Sequence, residues 1–343
     1  MVKKVIKQNQ GTFIISLDFE LFWGVHDVLT KENYRDNILG AHDAVLAILQ
    51  LFRYYNIHAT WAVVGMLYCK NSTQLNQMIP TILPTYVNEK LSAYHYIENN
   101  PIHQDEKKLY FAPNLIQRIY STDYQEIGTH TFSHYYTLEK GQTNKQFASD
   151  LDAALHIAQI NGHNISTIIF PRNQINQHYL KTCLSKGITS YRGNKNSSIY
   201  RMKTNEKRRY IKRGLRFLDR YFNLFGHQTY VLPRNNKLYP VNIRASKFLI
   251  PYSKNLAWLE GRRLKRIKQA MTYAAIKGEV YHLWWHPHNF GTHLDKNIQF
   301  LQKILEHFTY LQQKYGFRSR NMREVTIEVK HSSNIKKLDK IRM

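Results

Sequence analysis

Cysteine is scarce in this 343-residue chain: there are two, Cys69 and Cys183, far apart in sequence. That excludes a disulfide framework and a zinc cluster built from thiolates. No apolar run approaches the ~18 residues of a membrane span. Met1 to Gln10 carry lysines but no apolar stretch of the kind a secretory leader needs, so a soluble, cytoplasmic protein is expected. Zinc-finger spacings, RRM-type aromatic motifs and an evident helix-turn-helix are missing as well, so nucleic acid is not an expected partner. Internal repeats and low-complexity segments are absent. Acidic residues are few: 24 Asp and Glu stand against 49 Lys and Arg, a formal net charge of +25. Such an excess suits an anionic membrane or a polyanionic substrate.

What is present is globular. Hydrophobic residues make up 43% of the chain, enough at this length for one large α/β domain or two ordinary ones. Thr12 to Leu17 is a short β-rich apolar run that reads as a buried strand. It ends in Asp18-Phe19-Glu20, followed by Leu21-Phe22-Trp23-Gly24. Two carboxylates two residues apart fall on one side if the strand persists. The residues around them are too apolar for a solvated loop. Asn37 to Tyr55 has helical apolar spacing, and His58 to Gly65 reads as the next strand. Strand, helix, strand is a βαβ unit, which implies a parallel sheet. Residues 66–123, broken by prolines, read as helices and loops forming a lid or side wall.

Tyr124 to Gly128 is the third expected strand. It delivers Gly128-Thr129-His130-Thr131-Phe132-Ser133-His134. On a helical turn, residues i and i+4 share a face with Cβ atoms about 5–6 Å apart, which lets two imidazoles point at one ion. In a chain with 17 histidines a chance pair of this spacing is not rare, so the metal reading needs further ligands. Thr143 to Gln159 reads as an amphipathic helix, and Ser166 to Phe170 as a strand that stops at Pro171-Arg172-Asn173. His178 to Lys186 is a short helix, and Gly187 to Gly193, with Tyr191-Arg192, a strand and turn. Val280 to Trp285 is the last strand, with His286-Pro287-His288 at its end. Asp295 to Tyr315 is a closing helix. Two basic blocks interleaved with aromatics, 201–220 and 262–268, suit peripheral contact with an anionic membrane surface.

Each informative cluster follows an expected strand, and in parallel α/β folds the carboxyl ends of the strands form one rim. A carboxylate with two histidines makes a metal triad with open positions. A second carboxylate is left over as a base, and a remote histidine as an acid. That is equipment for metal-assisted hydrolysis.

In this order the motifs resemble the polysaccharide deacetylases of the NodB-homology family, carbohydrate esterase family four, over residues 10–325. Asp18-Phe-Glu20 resembles the family's first motif in a D-x-E form. His130-Thr-Phe-Ser-His134 resembles its H-[ST]-x-x-[HS] metal motif, and Asn56 to Gly65 its second strand. Phe170-Pro171-Arg172-Asn173 resembles the third motif, and Leu283-Trp-Trp-His286 the last, L-x-x-H. Tyr191-Arg192 is the nearest candidate for the fourth.

The resemblance implies an α/β fold, a distorted (β/α) barrel, with one divalent metal ion, zinc or similar. The reaction it implies is hydrolysis of an N-acyl group, usually N-acetyl, on a sugar. Carried over to this chain, Glu20, His130 and His134 hold the metal and Asp18 is the general base. His286 is the general acid, with His288 as its rival, and Arg172 orients Asp18. Trp23, Asn173, Tyr191, Arg192 and His288 are the candidates for substrate contact. Insertions are expected near 66–123 and 195–270, and a polar tail over 326–343. The substrate would be an N-acylated sugar of a surface polysaccharide or its lipid-linked precursor, met at the inner face of the membrane. A deformylase of a lipid-linked aminosugar would share every catalytic residue. A non-catalytic membrane-associated protein on the same fold is the reading from a different class.

Overall fold

The computed structural model describes residues 10–195, 214–215, 217–232 and 238–341. Of the basic block 201–220, residues 201–213 and 216 lie outside the described residues.

β1, Thr12–Phe19, is buried along its whole length. Its side chains alternate as a strand requires. Phe13, Ile15, Leu17 and Phe19 join the main core beneath the helices, while Ile14 belongs to a second cluster on the opposite face. α1, Lys31–Tyr54, starts earlier than its apolar stripe because Thr30 caps it, accepting the Asn33 N–H at 3.3 Å. β2, Ala59–Val63, follows. The short helices Ser72–Met78, Ala93–Asn99 and Lys107–Tyr110, then α2, Pro113–Tyr120, fall with their connecting loops in the segment expected as lid or side wall. They form a wall: Leu109, Tyr110, Ile116 and Ile119 are buried in the main core.

β3, Gln125–Thr129, leads to α3, Asn144–Ile160, which opens with a Thr143/Gln146 capping box. β4, Thr167–Ile168, β5, Ser190–Gly193, β6, Val241–Arg244, and β7, Lys247–Phe248, are short. α4, Glu260–Lys277, β8, Val280–Trp285, α5, Leu294–Tyr315, β9, Arg318–Ser319, and α6, Met322–Ile341, complete the chain.

The strands form one sheet in the order β6-β5-β4-β3-β2-β1-β8-β7, with β9 beside the start of β1. Every strand pairing in it is parallel. The two outermost strands, β6 and β7, are joined by Ala245 and Ser246 alone. The Ala245 N–H donates to Gly193 O of β5 and the Ser246 N–H to His282 O of β8, each at 2.8 Å. The sheet therefore curls until the chain itself spans its gap, giving the distorted (β/α) barrel expected. Parallelism places the carboxyl ends of the strands on a common rim.

Three expectations are corrected here. The region near 195–270 is not insertion throughout, since it contains the sheet strands β6 and β7 and the start of α4. The tail expected over 326–343 continues α6 as far as Ile341. Met322, Val325 and Val329 recur at helical spacing and pack with Ile14, Val241 and Val280. α6 thereby closes the amino-terminal end of the barrel, its Met322 N–H donating to Thr60 Oγ1 and its Arg323 N–H to the buried Glu126, each at 2.9 Å. The block 262–268 is not a uniformly outward cationic face. Arg263 and Arg266 are buried, donating to the carbonyls of Pro251 (3.2 Å) and Gly226 (2.7 Å), while Arg262 and Lys265 face outward.

Candidate active site

Asp18 and Glu20 leave the carboxyl end of β1, and Glu20 opens a one-turn 3-10 helix, Leu21–Gly24. The Glu20 carboxyl is buried, with Oε2 3.1 Å from Nε2 of His130 and 3.1 Å from Nε2 of His134. These three ligand atoms are the group expected for the metal. Atoms held ~2.0–2.2 Å from a tetrahedral zinc ion lie about 3.3 Å apart, so the spacing suits one.

The hydrogen bonding points the same way. The His134 ring is buried, and burial pushes its pKa down to about 4, so it is neutral at neutral pH. Its Nδ1 lies 3.1 Å from the Tyr136 hydroxyl, which itself donates to Asp27 Oδ1 at 3.3 Å. Tyr136 therefore accepts from Nδ1–H, and Nε2 presents a lone pair to the Glu20 oxygens. Facing lone pairs at that distance call for a cation between them. His130 is fully buried, and neither of its ring nitrogens has a hydrogen-bond partner. The residues present therefore fit a divalent ion.

The loop carrying the two histidines is not the helical turn expected. Residues 130–134 lie outside any helix, and Thr131 and His134 adopt φ of 66° and 59°. The left-handed region is costly for a β-branched residue, so something must hold it. Asp150 of α3 does: Oδ1 accepts the Phe132 N–H at 2.8 Å, and Oδ2 accepts the Ser133 N–H and the Tyr94 hydroxyl, each at 3.2 Å. The Ser133 hydroxyl donates to Oδ2 as well. Removing Asp150 orphans these buried donors at about 1–3 kcal/mol each. Asp150→Ala is expected to lower unfolding free energy by about 3 kcal/mol or more and to empty the metal site, read by denaturant melts and metal content.

Gly24 makes room for the Glu20 carboxyl. A Cβ there would fall on the Glu20 carboxyl. Gly24→Ala should therefore displace Glu20 and weaken metal affinity by about 10–100-fold with all three candidate ligands still in the sequence, measured by competition with a chelating dye.

Asp18 sits beside this group, fully desolvated. Burial alone would raise its pKa, but the Arg192 guanidinium and nearby histidines hold it below its ordinary value. Arg192 binds it bidentately, Nη1 to Oδ1 at 2.6 Å and Nη2 to Oδ2 at 2.7 Å. The guanidinium also lies 4.0 Å over the Trp284 ring and donates to Ser16 Oγ at 3.1 Å. Glu20 is held well below its usual range, since the surrounding histidines outweigh its burial.

The partner of Asp18 is thus Arg192, which corrects the assignment of that role to Arg172. Arg172 has φ of 52° and turns to Asp27, at 2.6 and 2.7 Å, with its guanidinium 4.5 Å above Tyr136. It braces Asp27 and Tyr136, the groups that orient the His134 ring, instead. Asn173 is beside Arg192, its Oδ1 accepting from Nη2 at 3.0 Å. Two expected substrate contacts are turned into the core. Trp23 is fully buried, its indole N–H bonded to Tyr110 O at 2.8 Å. Tyr191, one residue before Arg192 on β5, points to the opposite face and packs edge-on to Phe170.

His286 stands across the site, its side chain 22% exposed, with Nε2 3.7 Å from Asp18 Oδ2 and 3.6 Å from Glu20 Oε1. The Asn289 amide is 3.3 Å from Nδ1 and donates to it, which places the proton of the neutral ring on Nε2, facing the carboxylates. His288 is buried behind it, the rings stacked 5.1 Å apart at 12°, so the more open His286 is the one a substrate can reach.

The structure brings together Asp18, Glu20, His130, His134, His286, His288, Asn173 and Arg192. Sequence reading missed Asp27, Tyr136, Asp150 and Asn289. Asp150 alone left a signal: a charged residue beside Phe147, Leu151 and Ala154 on the apolar stripe of α3.

Residues 36–191 match the sequence model of the family described as Polysaccharide deacetylase. The match begins after Glu20 and ends before Arg192. No curated protein matches the chain. Among solved structures, one assigned to a polysaccharide deacetylase of Mycobacterium smegmatis superposes with a TM-score of 0.60 at 10% identity, over 95% of this chain and 92% of the other. Another, from Pseudomonas aeruginosa PAO1 and assigned likewise, gives 0.53 at 10% identity, over 92% and 89%. At that identity they speak to fold. Residues 36–191 are thus similar in sequence to the polysaccharide deacetylase family, and nearly the whole chain shares the fold of these two structures.

Proposed function

We propose that the protein is a metal-dependent hydrolase that removes the N-acetyl group from a sugar of a bacterial surface polysaccharide or its lipid-linked precursor. The observation that carries this reading is the convergence of Glu20, His130 and His134 on one point, with Asp18 and His286 facing each other across it. Glu20, His130 and His134 would hold the ion, zinc being the proposed metal. When bound, the ion supplies Lewis-acid polarisation of the acyl carbonyl and lowers the pKa of a water.

The remaining steps belong to the chain's own side chains. Asp18, kept ionised by Arg192, takes the proton of the attacking water. His286, once its ring carries a proton on both nitrogens, gives the Nε2 proton to the departing sugar amine and returns to the neutral ring, with the Asn289 amide turned so that its oxygen accepts from Nδ1–H. Arg192, Asn173 and Trp284 lock the base in place, so its geometry is set before substrate arrives.

A lipid-linked substrate is supported by exposed apolar side chains that stand among arginines. Trp258, 76% exposed, follows the carboxyl end of β7. Exposed Phe222 lies under the Arg262 guanidinium at 5.4 Å, with exposed Leu218 and Leu224 nearby in sequence. Apolar side chains flanked by arginines suit the boundary of an anionic bilayer.

The test is to incubate the zinc-loaded protein with N-acetylated oligosaccharides and lipid-linked N-acetyl sugars, and to quantify acid and amine released. Equal acetate and free amine, lost in Asp18→Asn, supports the reading. Formate in place of acetate would make it a deformylase. No turnover of any N-acyl sugar by a metal-loaded protein would leave a scaffold.

A further inference from the structure

The Glu20 carboxylate has a second oxygen, and it faces a second pair of histidines. Oε2 belongs to His130 and His134. Oε1 lies 3.6 Å from His286 Nε2 and 4.0 Å from His288 Nε2. The ligand atoms of Glu20, His286 and His288 all fall within 4.8 Å of one another, as do those of Glu20, His130 and His134. Asp18 Oδ2 closes the far side at 3.7 Å from His286 Nε2. His288 is buried and its Nδ1 has no hydrogen-bond partner, so its ring is not placed there to satisfy a neighbour.

We propose that Glu20 bridges two cation sites, and that a second divalent ion binds between Glu20 Oε1, His286 and His288 when free metal is abundant. Two imidazoles and a carboxylate oxygen are a donor set for zinc, cobalt or nickel and a poor one for calcium or magnesium. The longer separations make this the weaker site, filled after the first. Its occupancy has a chemical consequence. An ion there takes the Nε2 lone pair of His286, so the ring must carry its proton on Nδ1. Asn289 must then present its amide oxygen in place of its N–H, giving up its bond from the Tyr34 hydroxyl (3.2 Å). His286 ceases to be a proton donor, so the second ion inhibits the activity proposed above. The inference uses the same site but stands or falls separately, because it concerns a second equivalent of metal.

The experiment is equilibrium dialysis of the metal-stripped full chain against rising cobalt(II), with metal per chain measured by mass spectrometry and EPR recorded at each step. The expected result is a plateau at one ion per chain followed by a rise to two. The cobalt signal of the first ion should be altered by magnetic coupling as the second arrives through the shared carboxylate. His288→Ala is expected to stop at one ion with the first ion's spectrum intact. If that variant fails to fold, His288→Gln takes its place, and the wild-type EPR titration decides alone. Saturation at one ion overturns this inference and leaves the metal-centre reading standing, as does a second ion that persists in the His288 variants or leaves the first signal unchanged. No bound ion at all overturns both.

Discussion

Arg192→Leu is expected to destabilise the protein by about 3–5 kcal/mol and to abolish turnover, whereas Arg172→Leu costs far less. Both arginines follow or end neighbouring strands, and both hold an aspartate. They differ in burial. The Arg192 side chain is 0% exposed and that of Asp18 3%. Removing the guanidinium leaves a carboxylate in the barrel interior with no cation, and burial, the largest influence on Asp18, then raises its pKa unopposed by Arg192. The sign follows: wild-type Asp18, held low, contributes stability above its unfolded pKa that is lost as pH falls through the folded one. In Arg192→Leu that contribution disappears and the variant regains ground as the medium becomes acidic. The Arg172 side chain is 35% exposed, so water reaches its end of the pair, and Asp27, itself 3% exposed, keeps the Tyr136 hydroxyl as a donor when Arg172 is removed. Urea melts of both variants at neutral and acidic pH measure the difference.

His286→Ala should lower the turnover of an N-acetyl sugar by about 10²–10⁴-fold, the usual contribution of a positioned general acid. The loss should depend on the leaving group. A sugar amine must be protonated as it departs, so it needs the Nε2 proton of His286. A nitrophenolate leaves unaided, so hydrolysis of an aryl acetate should fall much less. A merely structural role would depress both substrates alike. His286 is part-exposed against Phe248 and Trp284, so its truncation is expected to leave the fold intact. Comparing kcat for the two substrate types, with metal content held equal, checks this.

Much of the barrel was legible because parallel strands buried on both faces read as short apolar runs ended by polar residues. Asp18, Glu20 and His286 could be placed at strand ends for that reason. What failed was side-chain direction beyond those ends. Trp23 sits three residues after Glu20 yet turns into the core, since the 3-10 turn that frees Glu20 buries the next three side chains. Arg172 and Arg192 were indistinguishable as letters. The positive φ of Arg172 turns it away, and the β5 pleat aims Arg192 inward. The histidine loop resembled a helical turn by spacing, but its shape is imposed by Asp150, sixteen residues after His134. Such a long-range constraint has no local pattern. The spacing of Met322, Val325 and Val329 was visible and marks α6, yet the lysines that follow made the segment look like a tail.

Everything proposed for the site depends on Glu20, His130 and His134 holding a divalent ion. The most direct test is metal content of the purified protein after dialysis against limiting zinc, beside the variant carrying His130→Ala and His134→Ala. The account predicts about one ion per chain in the wild type and none in the variant, with both folded by circular dichroism. A wild type that binds no ion, or a variant that keeps one, would contradict it.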